Sequence, residues 1–208
     1  MTEKEAEELC RMIRIGVDLS KPEYTYHPKT RRELKDLIEE LIKERGNEAD
    51  LNDIDVSRIT DMSHLFADSK FNGNISNWDV SRVRNMRSMF CASQFNGNIS
   101  KWDVSGVEDM ELMFAGSQFN GNISNWDVSG VRNMNGMFFE SKFNRDISKW
   151  NVSKVWNMEN MFYGSQFNGN ISNWDVSGVK EMRWMFWDSK FNGNISKWVK
   201  KPKGYNNF

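Results

Sequence analysis

The chain has 208 residues, with 28 Lys+Arg against 29 Asp+Glu and a formal net charge of −1, so no basic excess marks it for nucleic acid or an anionic membrane. Two cysteines make no disulfide framework and fit no metal-ligand spacing, and no apolar run reaches the roughly 18 residues of a membrane span. The length suits one or two domains, but 13 Met, 9 Trp and 14 Phe sit oddly beside a mean hydropathy of −0.70.

At the N-terminus, Thr2 to about Ile15 reads as a helix with Ala6, Leu9, Met12 and Ile13 on one side. It has no apolar signal core, which as written predicts a cytoplasmic protein. Pro22 to Pro28 reads as a linker. Thr30-x-x-Glu33 is a capping box, and Leu34, Leu37, Ile38, Leu41 and Ile42 then line one face of a second helix. Gly46 is placed to stop it. Residues 1–50 are thus expected to form a helical cap. Residues 1–53 carry 10 Lys+Arg and 14 Asp+Glu, a net −4, and the remainder carries +3. Such a small imbalance reads as solvated surface.

Beyond residue 50 the sequence repeats. Trp78, Trp102, Trp126, Trp150, Trp174 and Trp198 are 24 residues apart, as are Phe71, Phe95, Phe119, Phe143, Phe167 and Phe191. With Trp as position 1, the unit is WDVSxVxxMxxMFxxSxFNGNISx, and six units run from Ile54 to Lys197. Eleven of the 13 Met and twelve of the 14 Phe occupy repeat positions. The aromatic and Met surplus is therefore a core recipe copied six times. A fixed period of this length makes each unit one coil of a solenoid, because a single unit cannot bury its own apolar side.

Ile75-x-x-Trp78-x-Val80 matches the leucine-rich-repeat strand signature, with Trp and Val inward and Asp79 and Ser81 outward. Val83, Met86, Met89 and Phe90 stand at helical spacing behind Ser81 as a helix cap. The fold class predicted is an α/β repeat solenoid of leucine-rich-repeat-like coils, each a short strand plus a short helix, over residues 51–198. Residues 199–208 form a C-terminal tail in which Tyr205 and Phe208 are candidates to fold back over the core. The C-terminal edge is also a candidate homodimer contact.

Stacking turns each repeat position into a column. Asp79, Asp103, Asp127 and Asp175 form an acidic stripe on the side expected to be concave, because helices need more room than strands. The Asn72 and Ser69 columns read as structural, with the Asn forming a ladder. Positions 7, 11 and 14 vary instead. They are small or polar in early units and become Phe139, Trp156, Tyr163, Trp184 and Trp187 in later ones. Aromatic side chains anchor protein interfaces, so these five, rimmed by Arg132, Lys180 and Arg183, are the candidate partner-binding residues.

The segments Trp126 to Phe138 (WDVSGVRNMNGMF), Phe119 to Ser129 (FNGNISNWDVS) and Asp50 to Phe66 (DLNDIDVSRITDMSHLF) resemble the BspA-like repeat family, a leucine-rich-repeat-type group of bacterial surface proteins. The resemblance spans residues 50–198. It implies adhesion or protein binding at the cell surface or after secretion, and no catalytic residues.

The residues themselves point the same way. Only His27 and His64 are present, and neither neighbours a plausible nucleophile. No phosphate-binding, dinucleotide or zinc-protease motif appears, so no cofactor or metal is expected. Cys91 stands where other units carry Ala115 or Tyr163. Nucleic acid is disfavoured because no basic column runs the length of the array. The function expected is a noncatalytic protein-binding module. The alternatives are an intracellular inhibitor of a host protein of the phage or mobile-element type, and a surface adhesin.

Overall fold

A computed structural model describes residues 23–202. The helix expected over Thr2 to Ile15, and Tyr205 and Phe208 of the tail, lie outside the described residues.

Helix α1 spans Arg31–Arg45. The Thr30 hydroxyl accepts the Glu33 amide at 3.2 Å, while the Glu33 carboxylate reaches back to the Lys29 amide at 2.8 Å. At the other end Gly46 has φ 87° and donates its N–H to the Ile42 carbonyl, a left-handed stop that glycine takes without strain. Leu34, Ile38 and Leu41 are buried in one hydrophobic cluster with the first coils, and Leu37 and Ile42 pack against it. The cap therefore shields the end of the array it precedes. The segment expected to be a linker belongs to the stack instead. Tyr26 bridges Ile54 in parallel, and the amide of Asp55 donates to the Tyr26 carbonyl at 2.8 Å.

The six units lie one on another in parallel. Bridges join Asp61, Asn85, Asp109, Asn133, Asn157 and Glu181 in sequence, each 24 residues from the last. The Trp indoles sit inside, and each Nε1–H donates to a backbone carbonyl of the coil below, as Trp102 does to Ile75 at 3.1 Å. Phe90 and Phe114 stack at 5.6 Å, Phe95 and Phe119 at 6.3 Å, and Trp78 and Trp102 at 6.4 Å. The Met of positions 9 and 12 fill the space between, wholly buried at Met86, Met89, Met110 and Met113. The Asn ladder is present: the amides of Asn96, Asn120, Asn144, Asn168 and Asn192 each donate to the Asn side chain one coil below, at 2.7–3.0 Å.

The short helix expected in each coil does not form, and the short strand is reduced to single bridges; α1 is the only helix among the described residues. The stretch from Met86 to Ser93 is a chain of tight turns. The amides of Met89, Cys91 and Ser93 close back on the carbonyls of Met86, Ser88 and Phe90, while those of Met86, Ser88, Phe90 and Ala92 donate to the next coil at 2.7–2.9 Å. Ser88 and Ala92 have φ 52° and 54°, the left-handed third residue of a type II turn. A helix would have spent these amides internally and separated the coils to about 8–10 Å. Turns free alternate amides to bond along the stack, so this side keeps the close spacing of the rest. Hence the reason for expecting a concave strand face lapses, and Ser81 caps no helix.

Candidate functional site

The acidic stripe has a local task. Asp79 Oδ1 accepts both the amide and the hydroxyl of Ser81, at 3.1 and 2.6 Å. Asp103 does the same with Ser105, and the amides of Ser129 and Ser177 bond Asp127 and Asp175. Such side-chain-to-backbone bonds fix turns. The neutral Asn151 serves Ser153 with the same geometry, so the device needs an acceptor oxygen and not a charge. The Ser129 hydroxyl first, then its amide, holds the Asp127 carboxyl below the ordinary carboxylate range, with Lys154 adding to the effect. Asp175 is lowered likewise by Ser177. At Asp55 burial opposes the charge, but Ser57 and His27 outweigh it.

The device recurs at other corners. Asn85 holds Arg87, Asn98 holds Ser100, and the Ser93 hydroxyl accepts the Phe95 amide at 3.0 Å. Sequence reasoning missed these corners. The available signal was an Asp, Asn or Ser at positions 2, 8, 16 and 21, always two residues before the amide it fixes.

The variable columns carry the exposed apolar surface. Trp156, Trp184 and Trp187 are 44%, 49% and 52% exposed, which is large for indoles in a molecule whose six repeat Trp are buried. Phe139 and Tyr163 are half-buried and stack on each other at 4.9 Å. Val199, not anticipated from sequence, adds to the exposed apolar surface at the same end. Of the basic rim, Arg132 pairs with Glu108 at 3.5 Å. Arg183 lies 3.7 Å from Glu159 and 3.6 Å from Glu181. Lys180 is exposed, and its amide bonds the Trp156 carbonyl at 2.8 Å, seating it directly above that residue.

Trp184 also occupies a left-handed backbone position, φ 52°. Gly136 and Asn160 hold the same place in the two preceding coils, as the steric argument prefers. A bulky residue there costs of order 1–2 kcal/mol. Strain of this kind is retained where surrounding structure or function requires it.

Cys91 is half-buried, and burial, then Asp68, pushes its thiol up and away from thiolate formation. Among the described residues no three His, Cys, Asp or Glu converge on a point that would hold a metal. No described helix is long and apolar enough to cross a membrane.

Stacked, near-identical 24-residue coils define a bacterial repeat protein. The chain belongs to the family described as "Mycoplasma protein of unknown function, DUF285", whose profile matches residues 35–142 and again 116–207. It is a repeat family related to the BspA-like repeats. Comparison with curated proteins and with solved structures returned no match.

Proposed function

We propose that this chain is a noncatalytic protein-binding module, a BspA-like solenoid of the leucine-rich-repeat kind that holds a macromolecular partner against its last coils. The observation that carries this reading is the exposure of Trp156, Trp184 and Trp187. The same backbone accepts Arg84, Ser88 and Cys91 at the matching positions of an earlier coil. Large exposed aromatics are therefore not a requirement of the stack, and apolar surface exposed beyond what the fold needs is what interaction sites are built from. Indole rings suit the role, because they bury much area for little lost side-chain entropy.

The test is affinity capture from bacterial and host-cell extracts with the full chain and with its Trp184→Ala/Trp187→Ala variant. Both side chains lie half in solvent, so the variant keeps the far-UV spectrum of the parent. Capture by the parent of a partner that the variant loses by at least tenfold is the expected result. Equal recovery of every partner by both chains overturns the proposal.

A further inference from the structure

At the end of the stack farthest from α1, three backbone amides of the bonding edge have no acceptor among the described residues. In lower coils the amides of positions 9, 11 and 15 donate to the coil above at 2.6–3.0 Å, as Met158, Asn160 and Gly164 do to Glu181, Arg183 and Trp187. In the last coil the matching amides of Met182, Trp184 and Asp188 have no acceptor among the described residues. The unit itself lapses at this point, since Val199, Lys200 and Lys201 follow Trp198 where Asp, Val and Ser would stand.

Beside that edge lies a cleft of about 560 Å³, lined by Val179 to Arg183 and by Lys200 and Lys201. Its charges are one-sided. Glu181 is 3.6 Å from Arg183, and the Lys200 ammonium donates to the Val179 carbonyl at 2.9 Å. Lys180 and Lys201 are exposed and have no carboxylate within ion-pair distance among the described residues. The cleft thus offers amide and ammonium donors and has its one carboxylate already engaged. An occupant has to bring oxygen acceptors. Backbone carbonyls on alternate residues suit the amides of Met182 and Trp184, and carboxylates suit the lysines. Trp184 and Val199 supply adjoining apolar contact.

We infer that this edge is a docking groove for an acidic peptide segment of a partner protein, which lies across the last coil as one more rung. The inference rests on the protein-binding reading above. Open ladder edges are ready templates for added chain, main-chain bonds supply affinity, and side chains supply selection. The array holds a rung of this kind within it. In Gly106 to Gly116 the carbonyls of Asp109 and Glu111 accept the amides of Met86 and Ser88 at 2.9 and 2.8 Å, and Glu108, Asp109 and Glu111 make the segment acidic.

A synthetic peptide of sequence 106–116 is therefore the probe, titrated against the full chain by tryptophan fluorescence and calorimetry. The control peptide carries Lys at its three acidic positions. The acidic peptide is expected to bind at least tenfold more tightly than the control, to weaken as salt rises, and to lose at least tenfold on Lys180→Glu/Lys201→Glu. Both lysines are exposed, so that variant keeps its fold. Equal binding of the two peptides, or binding unchanged by the variant, overturns the inference. So does equal affinity for a ten-nucleotide thymidine strand, which would make the groove a phosphate site. A chain that is dimeric by light scattering and becomes monomeric in the variant overturns it in favour of a second copy. If no peptide binds while Trp184→Ala/Trp187→Ala still abolishes capture, the groove alone fails. If the peptide binds while the tryptophan variant captures as well as the parent, the aromatic reading fails and the groove stands.

Discussion

Asp127 and its column show how easily a charge is mistaken for a purpose. The conspicuous feature in sequence is a row of exposed carboxylates; the structure uses one oxygen of each to hold the serine two residues on. Asn151, in the same column, was the legible hint that charge was dispensable. A pH dependence follows. A carboxyl whose folded pKa is depressed adds stability above its unfolded pKa and loses it as pH falls through the folded value. Asp55, Asp127, Asp146 and Asp175 are all lowered, so thermal stability should fall as pH drops below about 4, the unfolded carboxylate range. Asp127→Asn keeps the acceptor and removes the titration. It should leave stability near pH 7 within about 0.5 kcal/mol of the parent and soften the acid limb, as read by calorimetry between neutral and acid pH.

At the scale of elements, the period was legible and the local conformation was not. Trp, Phe and Ile recur at 24 residues because each must meet its copy, so spacing alone exposes the core columns. The run Val83, Met86, Met89, Phe90 carries helical spacing, yet its backbone turns left-handed at Ser88 and Ala92. Gly116, Gly136, Gly164, Asn160, Asp68 and Asp188 betray those positions in sequence, and Leu112, Glu140 and Trp184 conceal them. The aromatic residues of the candidate surface were legible as departures from the repeat. The amides of Met182, Trp184 and Asp188, which have no acceptor among the described residues, were not, because they appear only once the turns are known. The Asn ladder permits a paired test. Asn120 accepts the amide of Asn144 at 2.9 Å, whereas Asn192 tops its column. Asn120→Ala should therefore cost about 1 kcal/mol more than Asn192→Ala, the worth of one hydrogen bond, measured by urea unfolding of the two variants.

The whole molecule is a column with unlike ends. At one end α1 covers the core with Leu34, Ile38 and Leu41. At the other, Met182, Phe186 and Phe191 are each 8% exposed where their counterparts below are sealed. Stability in such an array is close to a sum of coil and interface contributions, so damage at the cap should be felt mainly nearby. Ile38→Ala should cost about 2–5 kcal/mol, the usual range for emptying a buried branched side chain. In hydrogen exchange its effect should be largest at Met62 and His64 and smaller at Met158 and Asn160. Uniform loss of protection along the column would show that the coils unfold as one unit.

Near-identity of the coils has a consequence during folding. Each coil offers its successor the same indoles, rings and ladder amides, so pairing with the next coil but one would satisfy the core almost as well. Such a slip must loop out a whole coil, and the repeated columns do little to forbid it. Discrimination falls to the columns that differ. Arg87 meets Glu111 at 2.6 Å, Glu108 meets Arg132, and Glu159 meets Arg183. Exposed pairs such as these add at most about 1 kcal/mol each. Their greater value is as labels, each telling a coil which neighbour is its own.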